Sequence, residues 1–347
     1  MKKNKYVFVL LLLISITVVC SVSTFFYVKL NNDSKTEDEQ ILVMTSCNPV
    51  YIAALNVLDG VDGYTVQNLS QPTTGCLHDY TLTTEDMKNL SKADVLVVNG
   101  GGMEGYLDDV RAAYPKLTII DTYEYIEHSA GGSADLLIEE EEDEDSLPIE
   151  GNGDHEVVDE VQEDSSGYFH EAEEHHHDHG TNSHIWMDER LFEMQAAAIA
   201  NELMGENPNR EETPISDNFF AYSKSLDEKI DKQGLDKTLA GADIAVLHEA
   251  FAYTAQSLGA NVVATMDLDE ERQVSAGEVS AFLDEIKEHN VKLVLAEYDY
   301  GNAMGKLIEE QTDAKVVYLE TLVHGNYGKD SYVEVMNNNF TLIKNSL

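Results

Sequence analysis

Eight short β-branched runs, four in each half of the chain, alternate with helix-like segments. That alternation restricts the fold more than any other feature. In the first half the runs are Ile41–Thr45, Tyr64–Asn68, Asp94–Val98 and Leu117–Asp121. In the second they are Asp243–Leu247, Asn261–Thr265, Val291–Ala296 and Lys315–Leu319. Between them, Thr84–Leu90 and Gly277–His289 show helical spacing: Thr84 with Met87 and Leu90, and Ser280 with Leu283 and Ile286. Strand and helix in repeated succession build parallel sheets covered by helices. The expected fold is α/β, with two βα lobes of parallel four-stranded sheets joined by one long helix. Met187–Met204 fits that helix, with Leu191, Met194, Ala198 and Ile199 on one face and Leu203 continuing it. Asp188 and Glu189 are placed in its first turn, where the helix dipole favours anions, and Asn207-Pro208 stops it. A length of 347 residues at 43% hydrophobic content is ample for two such lobes.

The amino terminus gives an address. Lys2, Lys3 and Lys5 precede an apolar run of 23 residues, Tyr6 to Val28, closed by Lys29. Its first part has the length and flank of a signal-peptide core, and the whole is long enough to span a bilayer. The basic flank keeps the N-terminus cytoplasmic and sends the rest out. Two anchors fit: a retained helix, or a lipid on Cys20, although Thr17-Val18-Val19 departs from the Leu-Ala-Gly type of word that precedes such cysteines. Either leaves the bulk of the chain on the outer face of the cytoplasmic membrane. The expected organisation is an anchor over 1–30, a polar leash over 31–40 and an N-terminal lobe over 41–186. The linking helix at 187–206 and a C-terminal lobe over 207–347 complete it. Outside the cell, Cys47 and Cys76 meet an oxidising setting that admits a disulfide, worth roughly 3–4 kcal/mol for a loop of that length. Two buried thiols are the alternative.

Charge narrows the function. There are 65 acidic against 22 basic residues, a formal net charge of −43, which argues against a nucleic-acid surface built from clustered Lys and Arg. Residues 139–179 concentrate 18 Asp or Glu and six of the 12 histidines, with no Lys or Arg. Without apolar periodicity this segment reads as a solvated loop inserted in the first lobe. Its histidines, His170, His175, His176, His177 and His179 among them, make a metal-attracting composition. A His-rich solubilising tract is the plainer reading.

Four side chains share a structural address. His78 lies in the loop after the second strand, and His184 lies just before the junction helix. His248 follows Asp243–Leu247, and Glu320 follows Lys315–Leu319. In α/β sheets the carboxyl ends of the strands form the ligand crevice, and two facing lobes bring such ends together. Three imidazoles and a carboxylate make a tetrahedral set suited to Zn²⁺. Taken singly, each has an ordinary alternative: a loop-capping hydrogen bond for each histidine, an ion pair with a lysine for Glu320.

The words around these residues are Thr74-Gly75-Cys76-Leu77-His78-Asp79-Tyr80, Asn99-Gly100-Gly101-Gly102-Met103-Glu104 and Ser183-His184-Ile185-Trp186-Met187-Asp188. His248-Glu249-Ala250-Phe251-Ala252-Tyr253 and Glu320-Thr321-Leu322 complete the series. Together they resemble the words of the substrate-binding proteins of zinc and manganese ABC transporters, the zinc-uptake and adhesin-lipoprotein family. The resemblance runs from about Ile41 to Leu347, interrupted by the acidic insert. The resemblance implies two lobes with the metal between them, held by His78, His184, His248 and Glu320. It also implies an ABC permease as partner and a monomer. A histidine at the third position and a His-rich loop point to the zinc type, and borderline-soft imidazoles favour Zn²⁺ over Mn²⁺. Prolines that flank the first two ligands in the family are replaced by Leu77, Leu82, Ser183 and Glu189. A Cys47–Cys76 bridge would stiffen the first ligand loop in their place, and a Cys76 thiolate on the metal is the rival.

The expected function is an extracytoplasmic receptor that captures Zn²⁺ and delivers it to an ABC permease, with the acidic loop concentrating cations near the cleft. Neutral imidazoles bind metal, so affinity is expected to fall below about pH 6.5. A manganese-type receptor, a surface adhesin and a zinc buffer are the alternatives. An enzyme is not expected: no His-Glu-x-x-His occurs, and Glu249 is the one obvious local base beside His248. The glycines at 100–102 lack the Lys-Ser/Thr of a phosphate loop, so a tight turn is their expected role.

Overall fold

A computed structural model describes residues 40–69, 80–129, 137, 181–205, 213–266, 268, 274–298 and 301–347. The anchor, the leash up to residue 39, Cys20, Cys76, His78 and the acidic insert with its histidines lie outside the described residues.

The first sheet is built from β1 (Ile41–Thr45), β2 (Tyr64–Asn68), β3 (Val95–Val98) and β4 (Thr118–Asp121). Its order is β2-β1-β3-β4, with every pair parallel. The second consists of β5 (Asp243–Val246), β6 (Asn261–Thr265), β7 (Leu293–Glu297) and β8 (Lys315–Leu319), in the equivalent order β6-β5-β7-β8 and again parallel. Parallel pairing demands crossovers. Helices supply them: α1 (Asn48–Val57), α2 (Thr84–Leu90) and α3 (Leu107–Ala113) in the first lobe, with α4 (Thr122–His128) following its last strand. In the second, α8 (Ala250–Ser257), α9 (Ala276–Glu288), α10 (Asn302–Gln311) and α11 (Ser331–Ser346) follow the strands in turn. Strand bounds differ from the sequence expectation by two residues at most.

Between the lobes run α5 (Glu189–Met204), α6 (Pro214–Lys229) and the short α7 (Leu235–Thr238). The linking helix α5 starts later than expected. Ile185–Met187 forms a 3₁₀ turn, and Asp188 is the N-cap, its carboxylate accepting from Arg190 N at 2.8 Å and Leu191 N at 3.4 Å. An acid at the cap satisfies amide groups that would otherwise lack partners, which one within the first turn does not. The helix closes at Gly205 (φ +55°), two residues ahead of Asn207. It is also buried on more than one face: Phe192, Gln195, Ala196 and Ala200 join Leu191, Ala198 and Ile199. The cause is that α1, α4 and α6 all pack against it.

A single apolar core runs through the joint, from Val43, Ile52 and Val97 through Trp186, Phe192 and Ile199 to Phe251, Leu295 and Phe340. Cys47, buried, stands at the N-cap position of α1. Hydrogen bonds cross the joint: Asn48 Nδ2 donates to Val323 O (2.7 Å), Trp186 Nε1 to Thr321 O (2.8 Å), and Tyr332 OH to Trp186 O (2.8 Å). The Tyr332 ring stacks on Phe192 with centroids 3.5 Å apart.

After β3 the chain makes a turn that only glycine accommodates. Gly100, Gly101 and Gly102 all have positive φ (+84°, +62° and +84°), and a Cβ on Gly100 would land on the Asp121 carboxylate. Glu104 braces the turn. Its carboxylate accepts from Ser46 Oγ (2.6 Å), Asn99 N (2.8 Å) and Gly100 N (3.0 Å). Asn99 in turn donates from Nδ2 to Ser183 O (2.7 Å), and its Oδ1 accepts from Gln195 Nε2 (2.9 Å) on α5. The glycine turn therefore fixes the backbone immediately before His184.

Two outcomes follow from this brace. Replacing Gly100 by Ala forces a left-handed L-residue and a carboxylate overlap, an expected loss of roughly 2–4 kcal/mol in urea unfolding; a loss below about 0.5 kcal/mol would show that the turn is not constrained. Burial pushes the Glu104 carboxyl up to about 7 from 4.5, with Asp121 adding to it and the bonds from Ser46, Gly100 and Asn99 opposing. The native state thus holds a proton that the unfolded chain releases, so this group's contribution falls as pH rises through that interval. The stability of the wild type relative to Glu104→Gln is expected to decline between about pH 5 and pH 7 and to level off above. The opposite slope would mean that the hydrogen bonds, and not burial, govern this carboxylate.

Candidate metal centre

Sheet order decides which side chains meet. β5 and β7 are neighbours at the point where the strand order reverses, the usual crevice of an open parallel sheet. In their register Val246 lies opposite Leu295. Two residues further on, His248 stands beside Glu297, and His248 Nδ1 is 2.9 Å from Glu297 Oε2. The other oxygen, Oε1, accepts from Thr321 Oγ1 at 2.5 Å. Both His248 and Glu297 are buried. Burial works to raise the pKa of Glu297, but the hydrogen bond and charge of His248 and the bond from Thr321 outweigh it, and the net direction is down. The carboxylate is therefore held as an anion within the core.

His184 reaches the same place from the strap that precedes α5. It is fully buried, and its ring centroid lies 4.8 Å from that of His248 at an interplanar angle of 78°. Trp186 packs on His184 (5.2 Å) and Phe251 on His248 (6.2 Å), so apolar rings flank the imidazole pair. His184 Nδ1 is 3.0 Å from Glu249 Oε1 and 3.2 Å from Asn182 Oδ1. The strap is fastened to the second lobe: Tyr253 OH donates to Asn182 O (2.7 Å), and Asn182 Nδ2 to Glu249 O (2.8 Å). Asn99 holds it from the first lobe through Ser183 O.

Glu320 stands just past β8, partly exposed. Its backbone is clamped by Asn339, which accepts from Glu320 N (3.1 Å) and donates to Glu320 O (2.8 Å). Its Oε1 accepts from Tyr327 OH at 2.8 Å. Glu297, Glu320, Thr321 and His324 share the wall of one cleft of about 790 Å³. Of the four expected ligands, then, His184 and His248 pack together edge to face, Glu320 lies on the wall of a cleft whose lining includes neither histidine, and His78 lies outside the described residues. Among the described residues no group of three or more His, Cys, Asp or Glu forms a metal-holding cluster.

Glu297 has no role in the sequence reading, and Glu249 has a different one. Glu297 has the same strand-end position as His248 and Glu320, a signal that was present but that gains meaning only once β7 is known to adjoin β5. Glu249 was weighed as a local base, whereas it pairs with His184, from a segment far back in the chain.

Comparison with known proteins bears on this arrangement. Residues 43–346 match the family described as zinc-uptake complex component A, periplasmic. A high-affinity zinc uptake system protein, ZnuA of Yersinia pestis, is 24% identical over 302 residues, covering 85% of this chain and 87% of its own. The zinc-binding protein AdcA of Streptococcus pyogenes serotype M1 is 23% identical over 309 residues, covering 87% of this chain. The match takes in 54% of AdcA, so this chain spans about half the length of that relative. Among solved structures, the substrate-binding protein FpvC of Pseudomonas aeruginosa in complex with Ni²⁺ superposes with a TM-score of 0.64 at 19% identity. It covers 88% of this chain and 96% of its own, a likeness of fold.

Proposed function

The chain belongs to the periplasmic zinc-uptake component A family, and on that premise we propose that it captures Zn²⁺ outside the cytoplasm and hands it to the permease of an ABC transporter. Members of this family are transport receptors and not enzymes. The observation that carries the reading is the pair of buried imidazoles, His184 and His248, set 4.8 Å apart at the mouth of the second sheet. Nitrogen donors of that kind suit Zn²⁺ better than the harder Mn²⁺. His78 and Glu320 would complete a tetrahedral set, and three neutral imidazoles with one carboxylate leave the bound ion at a formal +1. The acidic segment 139–179 would act as a weak, fast antenna, raising the local cation concentration. Lobes at 41–186 and 207–347 joined through 187–206, with an anchor over 1–30 and a leash to residue 40, suit a monomeric receptor tethered on the outer face of the cytoplasmic membrane. A single linking helix suits small motions on release.

The test is metal stoichiometry and affinity, by chelator competition, on protein lacking residues 1–30. One tight Zn²⁺ is expected, lost in the triple variant His78→Ala, His184→Ala, His248→Ala and retained when residues 139–179 are removed. Weaker additional sites are expected to disappear with that segment alone. Tight binding that survives the triple substitution would refute the cleft assignment, and tight binding that goes with 139–179 would move the function to the acidic loop. A strain without the gene should show a zinc-uptake defect only while the permease is present; normal uptake would point to storage and not transport. A stronger preference for Mn²⁺ would transfer the chain to the manganese type.

Protons compete with the ion for the imidazoles, so zinc affinity is expected to weaken as pH is lowered from about 7.5 to about 5.5. An affinity independent of pH over that range would exclude histidine ligation.

A further inference from the structure

Among the described residues β8 pairs with β7 alone, so its other side is an open edge. Lys315 N donates to Lys292 O (3.0 Å), and Leu319 O accepts from Tyr298 N (3.1 Å). Lys315, Val317 and Leu319 therefore turn their backbone groups to β7, and by alternation Val316, Tyr318 and Glu320 turn theirs outward. The two outer positions are closed. Val316 N donates to Glu309 Oε1 (3.2 Å), and Asn339 takes both Glu320 N (3.1 Å) and Glu320 O (2.8 Å). Tyr318, between them, keeps its N–H and C=O on the open edge, and among the described residues neither is taken.

This rung lies in the cleft of about 790 Å³, which the backbone of β8 lines from Val316 to Leu319. Leu342 of α11 and Tyr298 past β7 stand on its walls, 38% and 70% exposed. That volume and an apolar wall suit a small ligand. The charge is gathered at one end. Glu320 follows β8, and Glu297 is level with Leu319 in the register of β7 and β8. The lining includes no Lys or Arg.

We infer that this cleft is a second binding site, for a short apolar peptide laid antiparallel to β8, with one residue exchanging both backbone bonds with Tyr318 and the free α-amino group at Glu320 and Glu297. A donor and an acceptor side by side on an edge are what one residue of an antiparallel strand meets. Direction and charge agree: such a strand has its amino end at the carboxyl end of β8, where both carboxylates stand. An ammonium there makes charge-assisted bonds that a neutral amide cannot. The peptide is short because the closed groups at Val316 and Glu320 leave one rung to pair. The inference does not rest on the metal-capture reading, since neither His184 nor His248 lines the cleft. Glu320 belongs to that reading's ligand set, so the test is made without metal.

The probe is the tripeptide Val-Leu-Val, titrated by calorimetry into the full chain in detergent after metal has been removed with a chelator. Saturable binding is expected, with a dissociation constant at or below about 1 mM. Acetylating the peptide's amino group removes its charge and keeps the backbone rung, and should weaken binding by about 10-fold or more. Leu342→Arg, a change at a half-exposed helix position, places a guanidinium in the cleft and should weaken binding by a similar factor. In ¹⁵N-tyrosine protein the backbone amide of Tyr318, assigned from the resonance lost in Tyr318→Phe, should shift as the peptide saturates. Absence of saturable binding overturns the inference. So does an acetylated peptide that binds within about twofold of the free one, which needs no variant to fold. A Tyr318 amide unmoved at saturation, or an affinity unchanged in Leu342→Arg, would place the peptide elsewhere and overturns it equally. Failure of the capture reading is separate, because it is read in zinc affinity and leaves each of these outcomes as stated.

Discussion

An imidazole removed from water must have its nitrogens satisfied, and two of them buried side by side make that requirement severe. An orphaned polar group in the interior costs about 1–3 kcal/mol, more where charge is involved. Asn182 meets this requirement with a hydrogen bond at Nδ1 of His184, and the carboxylates of Glu249 and Glu297 stand within 3.0 Å of Nδ1 of His184 and 2.9 Å of Nδ1 of His248 as charge partners. Much of the surrounding architecture is the consequence. Thr321 has to stand where it donates to Glu297, Asn182 has to be held by Tyr253, and β7 has to adjoin β5.

The same requirement accounts for the way the lobes are joined. The strap carrying His184 belongs in sequence to the end of the first lobe, yet Asn182, Trp186 and Met187 are bonded to Tyr253, Thr321 and Thr254 of the second. Lys232 pairs with Glu189 at the start of α5, and Asn56 Nδ2 donates to Lys329 O at 3.0 Å. Opening the lobes as rigid halves would break these bonds and unstack Phe192 from Tyr332. The histidine pair is set in a continuous core, not between two bodies that happen to meet.

Much of this could be read from the chain before any coordinates, for identifiable reasons. The strands were legible because β-branched runs in parallel sheets are buried on both faces and stand out against amphipathic helices. His248 and Glu320 were legible because they follow directly on such runs. Glu297 follows one too, but its partner depends on the order β6-β5-β7-β8, which periodicity does not encode. Glu249 was hidden for a similar reason: its contact with His184 spans two lobes and depends on how a strap docks. At α5, the spacing of apolar residues located the helix, but the cap went to Asp188 because hydrogen bonding to free amides, not hydrophobic pattern, sets the first turn. Gln195, buried and bonded to Asn99 and Thr122, looks in the sequence like any exposed helical glutamine.

The two sheets share one strand order, yet their equivalent crevices do different work, and the difference lies in how each satisfies a buried carboxylate. Beyond β3, Glu104 spends both oxygens on Ser46, Asn99 and Gly100, and with no cation opposite it burial wins, pushing its pKa up to about 7. Beyond β7, Glu297 accepts from Thr321 with one oxygen and turns the other to His248, and there the imidazole outweighs burial. A carboxylate whose acceptor capacity is consumed by two backbone amides and a serine hydroxyl can brace a turn but has little left for an ion. One held as an anion beside an imidazole keeps an oxygen directed at that ring. The glycine turn of the first lobe and the histidine pair of the second are thus alternative solutions at one topological position. The first braces a turn and the second sets two imidazoles side by side, and Asn99, bonded to Ser183 just before His184, is where the brace reaches the pair.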